Sequence, residues 1–303
     1  MSNFYGQYIG FGSGVGVALV PMGQMQGRTF GYHTGRQFSN AIEKYSFTAQ
    51  LDSVDVANLS AYTYYTSGAS SLTHGYSLGK HAYSNVIERH QFGTTNDVTD
   101  VGDLTSARGA GTGANSTTHG FLQGGSTGAY VTTIDKVEMA ATADATTFGD
   151  LDHTAGFAAG SGSSTHSYIM GGTPDKQDIQ KHAFANDTNA AQVSSCEELR
   201  YGSCGNSSLT HGYACMGQGG TNYEKFAFAS DSDGADVGDT IDDFWESASS
   251  SSADSGYLAG GNGPTTDMIQ KYPFASDANT TDWANLSVVG TGSGASPRGG
   301  WQV

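Results

Sequence analysis

Basic residues are scarce in this chain. Only 13 Lys and Arg stand against 29 Asp and Glu, a formal net charge of −16 over 303 residues. Such a surface repels phosphate backbones and anionic headgroups, which excludes nucleic acid as a partner class. Cysteine is nearly missing: Cys196, Cys204 and Cys215 fall in one stretch, an odd number too localised to staple a whole fold, and synthesis in a reducing cytosol follows. Cys204 and Cys215 either face each other across adjacent strands as a disulfide or remain buried thiols. No apolar run is long enough to cross a bilayer, so no membrane insertion is expected. The opening segment "MSNFYGQYIGFGSGVGVALVPMG" carries no Lys or Arg before its short apolar run at 15–20, against a classical signal peptide. Sustained helical periodicity is missing too, as are a P-loop, a nucleophile elbow and an HExxH pair.

What the chain has in abundance is glycine, 44 residues of it, and phrases that return. "LTHGYSLGK" at 72 comes back as "LTHGYACMG" at 209 and, less completely, as "TTHGFLQGG" at 118 and "THSYIMGG" at 165. The aromatic after this phrase gives the series Tyr32, Tyr76, Phe121, Tyr168, Tyr213 and Tyr257, with steps of 44, 45, 47, 45 and 44 residues. A second phrase, "IEKYSF" at 42, supplies Lys44, Arg89, Lys136, Lys181, Lys225 and Lys271, with steps of 45, 47, 45, 44 and 46. A third closes each unit: "VANLS" at 56, "VGDLT" at 101, "FGDLD" at 148, "VGDTI" at 237, "WANLS" at 283, and the degenerate "QVSSC" at 192. Gly/Ser-rich segments such as "GAGTGANS" at 109 lie between units. Each unit therefore reads as four short strands separated by turn residues, one propeller blade, and the fold class is all-β. Ankyrin and tetratricopeptide repeats are shorter and helical, HEAT repeats have the wrong composition, and the Trp-Asp ending of WD40 blades does not occur.

Several of these landmarks resemble the kelch repeat. The second strand ends in Gly124-Gly125, Gly171-Gly172 and Gly260-Gly261, three residues after an aromatic, and Trp283 stands where a kelch tryptophan would. Gly35-Arg36 and Gly79-Lys80 replace the pair in the first two units, and the fifth has "CMGQGG". The resemblance spans about residues 30 to 303 and implies a kelch-like β-propeller. The acidic, Ser- and Gly-rich variant further resembles kelch-like structural proteins of tailed bacteriophages, notably those of marine bacteria such as cyanophages. That implies a virion protein assembled in the host cytoplasm and released by lysis.

The ends bear on the blade count. Gly300-Trp301 stands 44 residues after Gly256-Tyr257, and "YGQYIGF" at 5 and "GVGVALV" at 14 read as closing strands. The favoured count is seven, six continuous blades and one assembled from both termini; a six-bladed ring with one overlapping closing strand is the alternative. One domain covers 1–303: an irregular closing segment at 1–30, six repeats over 30–286, and closing strands over 287–303.

His74, His119, His166 and His211 occupy one turn position in four units, with Thr29 and Ser255 near it in the others. Sites a blade apart cannot share one metal ion, so they read as turn residues satisfying local groups. The acids Glu43, Glu88, Asp135 and Glu224, with Gln180 and Gln270, alternate with the basic series and so point to the opposite strand face. Either the acid of one blade meets the base of the next, or the Lys tips reach solvent. The loop "DSDGAD" (Asp231, Asp233, Asp236) and its relatives at 186 and 277 cluster carboxylates without EF-hand spacing. No catalytic, cofactor-binding or metal-ligating residue is assigned, and no cofactor is expected.

The expected function is a non-enzymatic virion structural protein, a propeller platform for tail or fibre assembly or host-surface attachment. Its partners would be other virion proteins and a host-surface glycan or protein, within a multi-copy assembly. The alternative is a cellular lectin-like or adaptor propeller binding through loops on one face. Recognition is expected where units differ: the lengthened loops at 124–133 and 217–222, and the N-terminal segment with Tyr5, Tyr8, Phe11 and Met25.

Overall fold

Successive strands within a unit pair with their chain neighbours, so each unit folds into an antiparallel meander. The computed structural model describes residues 27–36, 39–80, 83–174, 177–198, 201–243, 245–262, 267–287 and 299–302. Among them the strands form six four-stranded sheets and no helix. Strands are lettered a to d outward from the central axis. In blade 2 they are Ser67–Ser70, His74–Lys80, Ser84–Gln91 and Thr99–Asp103. Blades 3 to 6 repeat this order over 112–150, 159–195, 204–239 and 248–285.

Blade 1 is assembled from both ends of the chain. Its strands b, c and d are Phe30–Arg36, Ser39–Ser46 and Val54–Asn58, and Gly299–Gln302 is its inner strand. The six-bladed ring with one overlapping strand is therefore the architecture, and the favoured count of seven is corrected. The overlap needed is one strand, since the first unit already supplies three. The register also differs from the sequence alignment: Trp301 lies opposite Tyr32 rather than in its equivalent position, so it takes the place held by Ser250 opposite Tyr257. The segments at 5 and 14 lie outside the described residues.

Glycine at the axis has a steric cause. The inner strands of neighbouring blades pass backbone against backbone, and a Cβ on Gly113 would come within 2.0 Å of the Gly68 carbonyl oxygen. A methyl group there would push two blades apart. The channel they enclose is narrow, a cavity of about 70 Å³ lined by Gly, Ser, Thr and Asn. At one mouth a belt of backbone hydrogen bonds joins the loops entering strand a. The amides of Ala110, Phe157, Gly202 and Glu246 donate to the carbonyls of Tyr65, Ala110, Phe157 and Gly202, at 2.6–3.0 Å.

Between blades the repeated aromatics meet. Each strand b aromatic lies flat on the last residue of the next blade's second phrase: Tyr32 on Phe92, Phe121 on Phe184, Tyr168 on Phe228, Tyr213 on Phe274 and Tyr257 on Phe47. Their centroids are 4.6–5.3 Å apart with planes within 23–26°. Where the phrase ends in Met139, the Tyr76 hydroxyl donates to its carbonyl instead. Such pairs contribute roughly 0.5–1.5 kcal/mol beyond area burial. Every blade also has a register shift between strands c and d, as at Ile42/Glu43 and Ile269/Gln270, which leaves Val56, Val101, Phe148, Val193, Val237 and Trp283 as bulge residues. The bulge turns the third phrase's repeated apolar side chain into the blade interface. Trp283 there meets Tyr257 edge-on at 6.0 Å, with the Lys271 ammonium 4.0 Å from its ring centre.

Removing 299–303 would leave the strand at Phe30–Arg36 as an unpaired edge beside an incomplete channel. The truncated chain is expected to aggregate or to lose its single cooperative unfolding transition. A soluble truncation melting at the full-length temperature would overturn this account of closure.

Candidate functional site: the blade interfaces and the aromatic channel mouth

The repeated series on strand c, Glu43, Glu88, Asp135, Gln180, Glu224 and Gln270, is buried. Each accepts the amide just past the preceding blade's strand d: Ser60 to Glu88, Thr105 to Asp135, Asp152 to Gln180, Glu197 to Glu224, Ile241 to Gln270 and Ser287 to Glu43, at 2.7–3.1 Å. These amides follow the last ladder bond, and a buried N–H without an acceptor would cost about 1–3 kcal/mol. A second set of contacts locks the same junction. The last amide of strand d donates to an Asp or Asn side chain in the next blade's c–d loop, at Asp97, Asp144, Asn189, Asp233, Asn279 and Asp52. The following loop residue returns a bond to that strand's carbonyl. The junction of blade 6 with blade 1 has the same contacts as the other five.

The acids therefore do not pair with the repeated lysines. Lys136, Lys181 and Lys225 reach Asp187, Asp231 and Asp277 in the c–d loops of the next blade at 2.6–2.9 Å, with tips 19–22% exposed, in agreement with the solvent-reaching alternative. The Asp-rich loops use their carboxylates here: Asp231 faces Lys181 while Asp233 accepts the Ser195 amide. Among the described residues no three His, Cys, Asp or Glu converge as a metal site. His74, His119, His166 and His211 each bond through Nδ1 to the preceding Thr hydroxyl at 2.8 Å, and their amides take a Ser hydroxyl three residues back. Each opens strand b instead of lying in the turn before it, and its ring satisfies local groups. Cys204 and Cys215 face each other across strands a and b as buried free thiols.

Among the described residues, one Arg–carboxylate pair is fully buried. Arg108 and Asp135, both fully buried, lie 3.2 Å apart, and Arg108 also donates to the Leu122 and Thr133 carbonyls. This pins the loop entering blade 3. The next two residues, Gly109 and Ala110, line a pocket.

That pocket lies at the channel mouth where the d–a loops and b–c turns gather, opposite the histidine turns. It encloses about 360 Å³. Phe157 forms its floor, 8% exposed. Tyr65 stands at 87° to it with centroids 4.9 Å apart, and Tyr130 at 78° and 6.4 Å. Tyr83, 47% exposed, completes the rim with Ser126. Tyr64 and Tyr201 extend the aromatic surface on either side, 4.8 Å from Tyr65 and 5.1 Å from Phe157. The lengthened loop at 124–133 is thus at the pocket, and Gln218 of the 217–222 loop donates its amide to the Tyr201 carbonyl beside it. The N-terminal segment lies outside the described residues, apart from its last four.

Sequence reading did not single out Tyr65, Tyr83, Tyr130 and Phe157. The available signal was aromatics inside otherwise Gly/Ser-rich loops that fail to recur, as in "AYTYYTSG" at 61. Four of the six described non-glycine residues with positive φ line this pocket: Tyr65, Tyr83, Ala110 and Phe157, at 53–61°. Three of these share the turn position that Gly202 fills between blades 4 and 5. A glycine would adopt it without strain, so holding Tyr65 and Phe157 there costs roughly 1–2 kcal/mol each.

Two measurements separate buried from solvated charge. Asp135→Ala strands Arg108 in the interior and is expected to cost ~3–5 kcal/mol. Lys136→Met removes a half-solvated pair and should cost ~0–1 kcal/mol in the same urea titration. A Lys136→Met loss as large as that of Asp135→Ala would contradict the arrangement.

His182 is expected to contribute to acid sensitivity. Its Nε2–H donates to Gln123 Oε1 at 2.7 Å, and burial pushes its pKa down from 6.5 to about 4. The unfolded chain takes up this proton near pH 6.5 and the folded one only near pH 4, so stability falls as pH drops through that window. His182→Gln should flatten the wild-type decline between pH 7 and pH 5 by about 2 kcal/mol. Equal slopes for variant and wild type would exclude His182 as its source.

No family model matches this chain and no curated protein matches it, so the geometry of the ring and its aromatic mouth carries the functional reading.

Proposed function

We propose that this chain is a non-enzymatic recognition and assembly propeller of kelch type. By its resemblance to structural proteins of tailed bacteriophages, we assign it to the virion as a multi-copy platform for tail or fibre assembly or host-surface attachment. The supporting observation is a division of labour. The residues that recur build the blade junctions, while the aromatics that do not recur gather on one face around the channel mouth. A catalytic site needs convergent nucleophilic, acid–base or metal-binding groups, whereas the pocket at that mouth is lined by Tyr, Phe, Ala, Ser and Gly. A rigid ring presenting an aromatic surface has the chemistry of a docking module. A cellular lectin-like or adaptor propeller would use the same face, and it is the rival reading.

Immunogold labelling with antibodies against the purified chain tests the virion assignment. Label on the tail or fibres of intact particles, at several copies each, is the expected result. Particles without label, with the protein retained in the soluble fraction of the producing cells, would favour the cellular module.

A further inference from the structure

The channel-mouth pocket also indicates what it takes. Among the described residues, its lining includes no charged side chain. A phosphate, sulfate or carboxylate ligand would find no cation there, and the chain's net charge of −16 repels it at longer range. The lining is not purely apolar either: Tyr65, Tyr83 and Tyr130 are phenols and Ser126 carries a hydroxyl, around a cavity whose floor is the Phe157 ring. The ligand class matching both features has an apolar C–H face for the aromatic rings and neutral hydroxyls for the rim. At about 360 Å³ the pocket falls in the size range of small-molecule sites.

We propose that this pocket binds an uncharged sugar ring, the terminal unit of a surface glycan. The inference rests on the reading of this face as a recognition surface and adds the ligand class. Phe157 and Tyr65, nearly perpendicular, form a corner in which the ring's C–H face packs while its hydroxyls meet the phenols. The walls are preformed. Ala110 and Phe157 are fixed by the belt of backbone hydrogen bonds, and the Gly109–Ala110 segment is anchored by Arg108 on Asp135, so little ordering is left for the ligand to impose. Tyr130 is held over Gly156, where a Cβ would lie 2.5 Å from its ring.

The test is a glycan array of neutral, sialylated and sulfated oligosaccharides probed with the full chain, followed by titration of each hit. Binding confined to uncharged glycans is expected, weakened at least tenfold by Tyr83→Ala and by Tyr130→Ala. Tyr62→Ala, an exposed tyrosine outside the pocket lining, should leave it unchanged. Tyr83 is exposed enough that its truncation spares the fold, which thermal melting of each variant verifies. Absence of any neutral hit, preference for acidic glycans, hits indifferent to Tyr83→Ala, or displacement by tetramethylammonium at lower concentration than by the sugar would each overturn the proposal. The virion assignment is decided separately by particle labelling: an unlabelled particle with a sugar-binding chain removes that reading alone, and a labelled particle without sugar binding removes this one.

Discussion

Just past every strand d in the ring comes an amide with no ladder partner, and the buried acid or carboxamide on the next blade's strand c accepts it. The rest of the architecture depends on that acceptor, because it fixes where one blade sits on the next. The requirement is for a lone pair rather than for charge: Gln180 and Gln270 fill the position as well as Glu43 or Glu224. Where a carboxylate is used, several donors share it. Glu43 accepts from Ser53, from the Ser287 amide and from the Ser287 hydroxyl, which offsets the cost of taking the charge out of water. At Asp135 a full countercharge is added, which ties the loop carrying Arg108 to strand c of blade 3.

The same junction explains how the ring closes. A propeller whose last blade met its first only through one inner strand would hang on a few ladder bonds. Here the 6-to-1 junction carries the full set: Asn285 with Asp52 and Ser53, Ser287 with Glu43, Tyr257 stacked on Phe47, and the Trp283 indole donating to the Ser46 carbonyl. The strand at 299–302 completes blade 1 and the channel wall, but side-chain contacts outside it already specify which blade follows which. Among the described residues, the repeated motif thus specifies which blade follows which at the closing junction as at the others, and the strand at 299–302 completes the ring.

Much of this was legible in the sequence because three phrases keep one period, and a period near 45 residues with turn-rich, strand-forming content admits few architectures. The phase of the period was less legible. Trp301 reads as a copy of Tyr257, yet it pairs with Tyr32, because aromatic identity does not distinguish an inner strand from its neighbour. The acid and base at Glu43 and Lys44 were placed on opposite faces by alternation alone. Their partners could not be, since an amide beyond the end of another blade's strand leaves no mark in the pattern. The bulges escaped notice for a related reason: the extra residue, such as Val101 or Trp283, is itself a good strand former, so the count along the strand looks regular. The channel-mouth pocket was least legible, because it is built from left-handed turn residues contributed by three junctions and two b–c turns.

The left-handed turn also connects structure with function. Five d–a loops reach it at Tyr65, Ala110, Phe157, Gly202 and Glu246, so the conformation is demanded by the ring, which aims each amide at the preceding loop's carbonyl. Glycine satisfies that demand without strain and stands there at 202. An aromatic at 65 and 157 meets the same demand at a cost and places a ring at the lip of the channel. The ring geometry supplies the backbone conformation, and the side chains mounted on it are free to vary from blade to blade. Side chains can therefore differ around the mouth of the propeller without altering the blade junctions beneath it.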